Sequence, residues 1–442
     1  MSPRPDDAVP PAAGGSLAAP GTSPLANLRW LVLLFVSLAM FGNYYVFDAL
    51  NPVGPLLESQ LGFTQAQIGL LDTAYNAAAL LVLLAGGVII DRVGTKRAMI
   101  GFGVVSAIGG LIIALAHGHL TMAAGRFVLG LGAEPLIVAA TAVLGRWFKG
   151  RELGFAMGLN LMVARLGSVT ADNSRNLLPG LFASWQPPLV LAAAVGGTCI
   201  LGGVLYALIE RRAERGAGGR DTRVSTDKLV LGDLVRFNRG YWYIVGLCVT
   251  FYAAVFPFRR FANIFFVDAH GASQSEAAFL NGLLPLTAMF ATPLFGLLVD
   301  RVGRRAMLMT LGSLLLFPAF LLMAHTHLPL GAPVALLGIA FSLVPAILWP
   351  SVAYLVDEKR LGSAYALMTF CQQIGWAAMA WAIGRVNDAM GASAANPDGY
   401  DTGMWMFAAF GFLGLLFSFL LWRSERGPGG HGLETITAGG AK

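Results

Sequence analysis

Long apolar stretches separated by short polar turns occupy nearly the whole chain. Each stretch has about 20 residues or more and few charges, which is the length that a helix needs to cross a bilayer. We therefore predict an all-α membrane protein with twelve transmembrane helices. The predicted helices lie near residues 28–50, 65–90, 97–116, 120–147, 153–176, 188–210, 239–267, 274–299, 306–325, 330–355, 361–387 and 402–422.

A long polar interval divides the predicted helices into two sets of six. This interval, residues 211–238, is rich in Arg, Gly and Asp, which is typical of a linker between two bundles. We predict an N-terminal bundle over residues 27–210 and a C-terminal bundle over residues 239–423. Residues 1–26, rich in Pro, Ala and Gly, are predicted to form a disordered cytoplasmic tail, and residues 424–442 a second cytoplasmic tail.

The same short motif follows the second predicted helix of each half. GGVIIDRVGTKRAM surrounds Asp91 and FGLLVDRVGRRAML surrounds Asp300, a separation of 300 minus 91, or 209 residues. Repeated halves of this kind are typical of secondary transporters, in which the substrate site lies at the interface of the repeats. The repeat therefore predicts two pseudo-symmetric bundles with a site between them.

Lys and Arg residues are concentrated in every second loop. The alternate loops, among them HGHL, FASWQPP and AHTHLP, contain none. Because basic loops stay on the cytoplasmic side, this alternation predicts cytoplasmic termini, in a membrane of the bacterial inner (plasma) membrane type. The basic loops contain Arg92, Lys96 and Arg97; Arg146, Lys149 and Arg151; Arg301, Arg304 and Arg305; and Lys359 and Arg360.

Composition agrees with the membrane prediction. The 442 residues are 56% hydrophobic and 12% charged, with a mean hydropathy of +0.67, which leaves too little polar surface for a soluble protein. The net charge of +6 comes from short loops rather than from one patch, so no nucleic acid partner is predicted. The three cysteines lack metal-ligand spacing, and no metal, cofactor or disulfide is predicted.

No enzymatic motif is present in the sequence. The chain contains no Walker loop, no GxSxG and no HExxH, and its GxG patterns lie within apolar helices, where Gly allows close packing. We therefore predict neither an enzyme nor a primary ATP-driven transporter.

Two charged residues, Glu134 and Arg165, interrupt apolar stretches far from their ends. Glu134 lies 12 residues before Arg146, and Arg165 lies 13 residues after Glu152. At ~1.5 Å per residue, both side chains are ~18–20 Å from the same membrane face. Charges at such a depth are costly and mark a functional site, so we predict a carboxylate and a guanidinium at one level of the membrane. The alternative role is a buried ion pair that joins two helices.

The repeated motif, GxxxDRxGxK/RR, resembles the cytoplasmic loop motif of the major facilitator superfamily. With the twelve predicted spans, the resemblance covers nearly everything after the N-terminal tail and implies the fold of that superfamily. The Asp and Arg side chains would form a cytoplasmic gate and the Gly residues a tight turn, the alternative being that they only fix topology. The predicted gate residues are Gly87, Asp91, Arg92, Gly94, Lys96 and Arg97 in the first copy and Gly296, Asp300, Arg301, Gly303, Arg304 and Arg305 in the second.

Three further segments resemble the lysosomal dipeptide transporter branch of this superfamily and its bacterial relatives. They are GRFVLGLGAEPLIVA with RWFKGRELGFAMGLNLMVARLGS, YAAVFPF with FGLLVDR, and AILWPSVAYLVDEKRLGSAYA. The resemblance implies that Glu134 and Arg165 hold the two ends of a dipeptide, and that Trp349 forms a wall for a substrate side chain. Independently, matched depth and opposite charge fit a clamp in which Glu134 meets an ammonium and Arg165 a carboxylate.

Other polar residues in apolar stretches complete the predicted site. Arg259 and Arg260 stand where we expect small or apolar residues in the relatives, and at least one is predicted to face the cavity. The alternative is an ion pair with Asp48 or Glu58. Asp48 and Asp72 are predicted near the outer ends of the first two helices, as gate contacts or proton carriers or else as solvated ends. The predicted substrate-binding residues are Glu134, Arg165, Trp349, Tyr252, Arg259, Tyr75 and Asp48.

These observations predict an alternating-access transporter of small peptides, above all dipeptides. The first helix lacks the ExxER motif of proton-coupled oligopeptide transporters, which favours facilitated diffusion, with a proton cycle through Glu134 or Asp48 as the alternative. A second hypothesis is a proton-coupled carrier of organic anions or monocarboxylates that uses Arg165 and Arg259, and a third is a non-transporting receptor or subunit. The expected partners are the lipid bilayer and a small-molecule substrate, and the expected state is a monomer, with an accessory subunit as the alternative.

Overall fold

A computed structural model describes residues 24–148, 152–216, 237–326, 328–357, 360–427 and 430–436. Over these residues the chain is almost entirely α-helical. Nearly all of the predicted N-terminal tail, most of the predicted linker and the last residues of the chain lie outside the described ranges.

The described helices form two bundles. The N-terminal bundle contains α1 (Pro24–Asp48), α2 (Gly54–Leu61), α3 (Gln65–Val93), α4 (Thr95–Leu115), α5 (His119–Phe148), α6 (Leu153–Asp172), α7 (Ser174–Leu177) and α8 (Gln186–Gly216). The C-terminal bundle contains α9 (Arg239–His270), α10 (Gln274–Val302), α11 (Arg305–His325), α12 (Gly331–Leu355), α13 (Leu361–Ala389) and α14 (Asp401–Glu425). Short 3₁₀ turns lie at Pro179–Ala183 and Pro397–Tyr400.

Twelve of the described helices have 20 residues or more. Ten of them are long and apolar enough to cross a membrane by themselves. The other two, α6 and α13, carry polar residues along their length, among them Arg165 on α6 and Gln373 on α13. The all-α prediction is confirmed, and twelve long helices are consistent with the predicted spans.

The basic turns after α3 and α10 depend on glycine. The φ angle is 79° at Gly94 and 68° at Gly303, in the left-handed region that a side chain disfavours. Each glycine ends the preceding helix by donating its N–H, from Gly94 to Ile90 at 2.9 Å and from Gly303 to Val299 at 2.8 Å. The tight turn expected at these two glycines is therefore present.

The two bundles meet along two helix pairs, α3 with α13 and α6 with α10. Glycines allow the first pair to pack closely, since Gly69 lies against the Ala380 carbonyl and Gly384 against the Gln65 carbonyl. Both contacts lie at the level where α1 ends and α3 begins. We term this level the distal end, because it is opposite the first residue of α1 and the last residue of α14.

One predicted domain boundary differs from the structure at α8. This helix continues to Gly216, six residues beyond the predicted end of the N-terminal bundle at residue 210. Acidic residues of its last turns pair with basic residues of the same bundle, Glu210 with Arg146 and Glu214 with Lys96. These ion pairs stabilise the last helical turns of α8, although the charged residues there had led us to predict a linker from residue 211 onward.

Part of the predicted C-terminal tail packs against the C-terminal bundle. Leu433 is fully buried, and its carbonyl accepts a hydrogen bond from Arg305 N at 3.0 Å. Glu434 caps the start of α11, because its carboxylate accepts a hydrogen bond from Met307 N at 3.1 Å. Residues 430–436 are thus part of the bundle rather than of a free tail.

Candidate functional site

A cavity of ≈ 280 Å³ lies between the two bundles. Helices α1, α3, α5 and α6 line it from one side, and helices α9, α12 and α13 from the other. Its volume is close to that of the smaller ligand sites in proteins, which begin at about 300 Å³. The seven residues predicted to bind substrate all line this cavity: Glu134, Arg165, Trp349, Tyr252, Arg259, Tyr75 and Asp48.

Glu134 lies at the middle of α5 and contributes its carboxylate to the cavity wall. The Tyr75 hydroxyl, from α3, donates a hydrogen bond to Glu134 Oε1 at 2.8 Å. Within the described part of the chain this is the only hydrogen bond that the carboxylate accepts. A carboxylate has about four acceptor positions, so Glu134 can still accept hydrogen bonds from a ligand.

Arg165 lies on α6 and reaches the cavity between two aromatic rings. Its guanidinium carbon is 5.0 Å from the centre of the Phe341 ring and 6.0 Å from that of Tyr44. Among the described residues no hydrogen bond or ion pair involves this guanidinium. Its five N–H donors are therefore available to a ligand in the cavity, while the rings hold the side chain by cation–π contact.

Glu134 and Arg165 do not pair with each other. No ion pair joins them in the part of the chain that the structure describes, although both line one cavity. The simple structural alternative, a buried ion pair that pins α5 to α6, is therefore absent from this conformation. The Glu134 carboxylate can bind a positive group and the Arg165 guanidinium a negative group of one ligand in the cavity. This arrangement suits a zwitterion.

Aromatic residues of the C-terminal bundle form the wall opposite these charges. Trp349 Nε1 donates a hydrogen bond to the Tyr252 hydroxyl at 2.9 Å, and the Tyr365 hydroxyl donates to the Trp349 carbonyl at 3.0 Å. The Tyr252 ring also stacks on Phe256, with ring centres 5.4 Å apart. This network fixes the orientation of Trp349 and Tyr252 within the wall.

Arg259 lies on the distal side of the cavity and joins the two bundles. Its guanidinium contacts Asp48 Oδ1 at 3.2 Å and Asp172 Oδ2 at 2.6 Å. Asn51 bridges the same two carboxylates, with its amide 3.2 Å from Asp48 and 2.7 Å from Asp172. Asp48 and Arg259 both line the cavity and pair with each other, so in this conformation they form its distal wall.

Arg260 makes a second connection between the bundles. It donates to Asp72 Oδ1 at 2.7 Å and 3.0 Å, and to Asn51 Oδ1 at 2.7 Å. Asp72 also pairs at 2.7 Å with Arg126 of its own bundle, so one carboxylate is shared by two guanidinium groups. All of these side chains are almost completely buried.

The structure shows how these charges are paired. Of the two carboxylates named as possible partners, Asp48 pairs with Arg259, and Glu58 pairs with neither Arg259 nor Arg260. Asp48 and Asp72 are buried contacts between the bundles rather than solvated helix ends. Glu58 lies apart in the short helix α2, where burial and neighbouring carboxylates raise its pKa to about 8.

Two members of this network, Arg126 and Asp172, were not predicted. Both lie within the first or last turns of their apolar stretches, where a charged side chain ordinarily reaches the membrane surface. The available signal was the balance of charge, because three arginines and three aspartates lie in the same half of the membrane in the predicted topology. Only the fold shows that they meet.

The distal end is also closed by contacts to the start of α3. Asp388 of α13 accepts hydrogen bonds from Gln65 N and Ala66 N, both at 2.8 Å. A carboxylate at a helix N-terminus interacts favourably with the helix dipole. Where the structure describes both partners, the hydrogen bonds and ion pairs between the bundles lie in this distal half.

The two copies of the loop motif lie at the opposite end. The side chains of Asp91 and Asp300 are outside the described residues. Lys96 pairs with Glu214 of its own bundle at 2.5 Å, and the Arg305 guanidinium lies 5.0 Å from the ring centre of Tyr354. Gly87 and Gly296 lie within α3 and α10, and the exposed members of the motif are Arg92, Arg97, Arg301 and Arg304.

Two helical bundles around a central, charged cavity define a secondary transporter of the membrane. The family model described as Major Facilitator Superfamily matches residues 36–380 and 260–435, and the chain belongs to this superfamily. It is therefore an integral membrane protein and a transporter rather than an enzyme.

Curated relatives place it near one branch of the superfamily. The chain is 32% identical over 380 residues to the lysosomal dipeptide transporter MFSD1 of Danio rerio, covering 82% of this chain and 81% of the relative. It is 31% identical over 397 residues to the lysosomal dipeptide transporter MFSD1 of Homo sapiens, covering 85% of each. The predicted resemblance to this branch is confirmed.

Solved structures share the fold at low sequence identity. A bacterial homolog of the human lysosomal transporter Spinster, inward-facing and unoccupied, matches with a TM-score of 0.74 at 19% identity, covering 91% of this chain and 98% of that one. The nucleoside transporter NupG matches with a TM-score of 0.66 at 15% identity, covering 90% of this chain and 99% of that one.

Proposed function

We propose that the protein transports small peptides, above all dipeptides, and holds the two charged ends of the substrate with Glu134 and Arg165. The observation that carries this proposal is that these side chains face one cavity without pairing with each other. A carboxylate suits an ammonium group, and a guanidinium binds a carboxylate through two parallel hydrogen bonds. The relatives named as dipeptide transporters support the same substrate class.

The size of the cavity is compatible with this substrate. A dipeptide backbone spans at most ~7 Å between its ends, which two long side chains on adjacent helices can bracket. The aromatic wall around Trp349 and Tyr252 offers an apolar surface for substrate side chains. An organic anion would use Arg165 alone, since Arg259 is already paired with two carboxylates.

The position of the contacts between the bundles supports a proposal for the transport cycle. We propose that the distal end faces outward across a plasma membrane and is closed in this conformation, while the loop motifs form the gate at the cytoplasmic end. The basic residues of those motifs support this orientation. Labelling a cysteine introduced at Ser59 with a membrane-impermeant reagent in intact cells tests it, because Ser59 is exposed at the distal end.

Blocked dipeptides test the proposed clamp. Free dipeptides are expected to compete with labelled dipeptide uptake into proteoliposomes, while N-acetylated and C-amidated forms compete at least about tenfold more weakly, since each loses one charged contact. The measurement is the inhibition constant of each form with purified protein as the only transporter. Equal inhibition by free and blocked forms would contradict the clamp, and competition by organic acids alone would favour an anion carrier.

Coupling to protons is tested in the same vesicles. Facilitated diffusion predicts that labelled dipeptide equilibrates across the membrane without accumulation, whether or not a pH gradient is imposed. Accumulation that follows an imposed gradient and collapses with a protonophore would instead show a proton cycle. The variant Glu134→Gln then tests whether Glu134 binds the transported proton. If it does, dipeptide uptake by this variant no longer depends on the pH gradient.

A further inference from the structure

Three buried polar atoms at the cavity have no hydrogen-bond partner among the described residues. They are Ser168 Oγ of α6 and, on α13, Gln373 Oε1 and Trp376 Nε1. The exposed fractions of these side chains are 0%, 3% and 5% respectively, so water does not cover them freely. A buried polar atom without a partner destabilises a fold, and beside a cavity such an atom is placed where a ligand atom can satisfy it.

The two groups on α13 form a fixed pair. Gln373 and Trp376 are three residues apart and therefore share one face of the helix. The Trp376 indole is held by rings on both bundles, with ring centres 4.3 Å from Phe256 and 5.8 Å from Phe47. An indole N–H can only donate and an amide oxygen can only accept. The C-terminal bundle thus offers one donor beside one acceptor.

This pair matches the first residue of a peptide. In an extended backbone, the N–H and C=O groups of one residue point to the same side, as they do in an antiparallel ladder. We propose that Trp376 donates to the carbonyl of the substrate's peptide bond and that Gln373 accepts from the ammonium beside it. This inference rests on the proposed dipeptide function and deepens it, because it assigns recognition of the peptide carbonyl in addition to the charged ends.

The assignment gives the C-terminal bundle a direct polar contact with the substrate. Glu134 and Arg165 belong to the N-terminal bundle, so a ligand held by them alone would not distinguish the positions of the two bundles. A ligand that also contacts Trp376 and Gln373 binds most tightly when both bundles surround it. Ligands shift a conformational equilibrium only through such differences in affinity.

Three zwitterions with the same chain length separate the carbonyl from the charged ends. Glycylglycine has the carbonyl and the amide N–H, 5-aminolevulinic acid keeps the carbonyl and has CH₂ in place of N–H, and 5-aminopentanoic acid has neither group. Their inhibition constants are measured against labelled dipeptide uptake by proteoliposomes that contain the full chain. For the wild type, 5-aminolevulinic acid is expected to bind about tenfold more tightly than 5-aminopentanoic acid, because only it offers the carbonyl.

Two variants assign this preference to the named atoms. Trp376→Phe keeps an aromatic ring, removes the indole N–H and is expected to abolish the preference for 5-aminolevulinic acid. Gln373→Leu is expected to weaken all three ligands by a similar factor, because each has an ammonium group. Trp422→Phe is the matched control, since its Nε1 also lacks a hydrogen-bond partner among the described residues but Trp422 does not line the cavity. This control is expected to retain the wild-type preference.

The outcomes separate this inference from the proposed function. If wild-type protein binds 5-aminopentanoic acid as tightly as 5-aminolevulinic acid, or if Trp376→Phe retains the preference, the inference is overturned. If the wild type does not bind glycylglycine or other free dipeptides, the proposed function itself fails. Melting temperatures show whether the variants are folded. If Trp376→Phe does not fold, the comparison of the three ligands on the wild type still tests the inference that the peptide carbonyl is recognised.

Discussion

Replacing Arg165 with glutamine is expected to reduce the kcat/KM of dipeptide transport by about 100-fold or more, because the charge-assisted contact with the substrate carboxylate is lost. The guanidinium makes only ring contacts in this conformation, to Phe341 and Tyr44 among the described residues. The melting temperature should therefore change little. Both quantities are measured with purified protein, in proteoliposomes for transport and in detergent for stability.

The blocked dipeptides make this prediction specific to one end of the substrate. In Arg165→Gln the penalty for a C-amidated dipeptide should vanish, while the penalty for an N-acetylated one remains. Glu134→Gln should show the reverse pattern. Arg165→Lys is the conservative control, because it keeps the charge without the bidentate geometry and should give an intermediate loss. Transport by Arg165→Gln at the wild-type rate would rule out the clamp.

Replacing Arg260 with glutamine is expected to favour opening of the distal end. Removing one partner of a buried ion pair costs ~3–5 kcal/mol, which is comparable to the few kcal/mol that separate two conformations of a protein. Arg126 still neutralises Asp72 within the N-terminal bundle, so the cost falls on the contact between bundles rather than on the fold. The variant should remain folded but populate the distal-open conformation.

Spin labels on the two bundles measure this shift. Ser59 and Ser275 are exposed near the distal end of opposite bundles, so cysteines at these positions accept labels once the half-buried Cys371 is replaced by serine. The distance between the labels should increase in Arg260→Gln. Arg126→Gln is the matched control, because its ion pair lies within one bundle and its loss should lower the melting temperature instead. An unchanged distance in Arg260→Gln would contradict the role of this contact.

The helices and the two opposite charges at one depth of the N-terminal bundle could be predicted from sequence, because both depend on local patterns. Apolar length determines a membrane span, and the depth of Glu134 and Arg165 follows from counting residues along two helices joined by one turn. The role of Trp349 as a wall of the site was predicted only from the resemblance to a family. The structure brings the seven predicted residues to one cavity, and their roles stay predictions.

Apart from the pair of Arg259 with Asp48, which was one of the alternatives, the distal network could not be predicted, because it depends on contacts between distant parts of the chain. Arg259 meets Asp48 over 211 residues and Asp172 over 87. A charged side chain toward the end of an apolar stretch can be solvated at the membrane surface or paired with another charge inside the protein. The sequence does not indicate which of the two environments it has. The unpaired atoms of Gln373 and Trp376 were hidden for a similar reason, since an unsatisfied hydrogen bond is visible only after every neighbour has been placed.

The distal network also determines what a substrate meets when the bundles separate. Its charged members are Asp48, Asp72, Asp172 and Arg126 on the N-terminal bundle and Arg259 and Arg260 on the C-terminal bundle. Three carboxylates and one guanidinium leave two net negative charges on one wall, and the other wall carries two positive charges. The opened entrance would be an electrical dipole, strongest at low ionic strength, that aligns an entering zwitterion before it reaches the cavity.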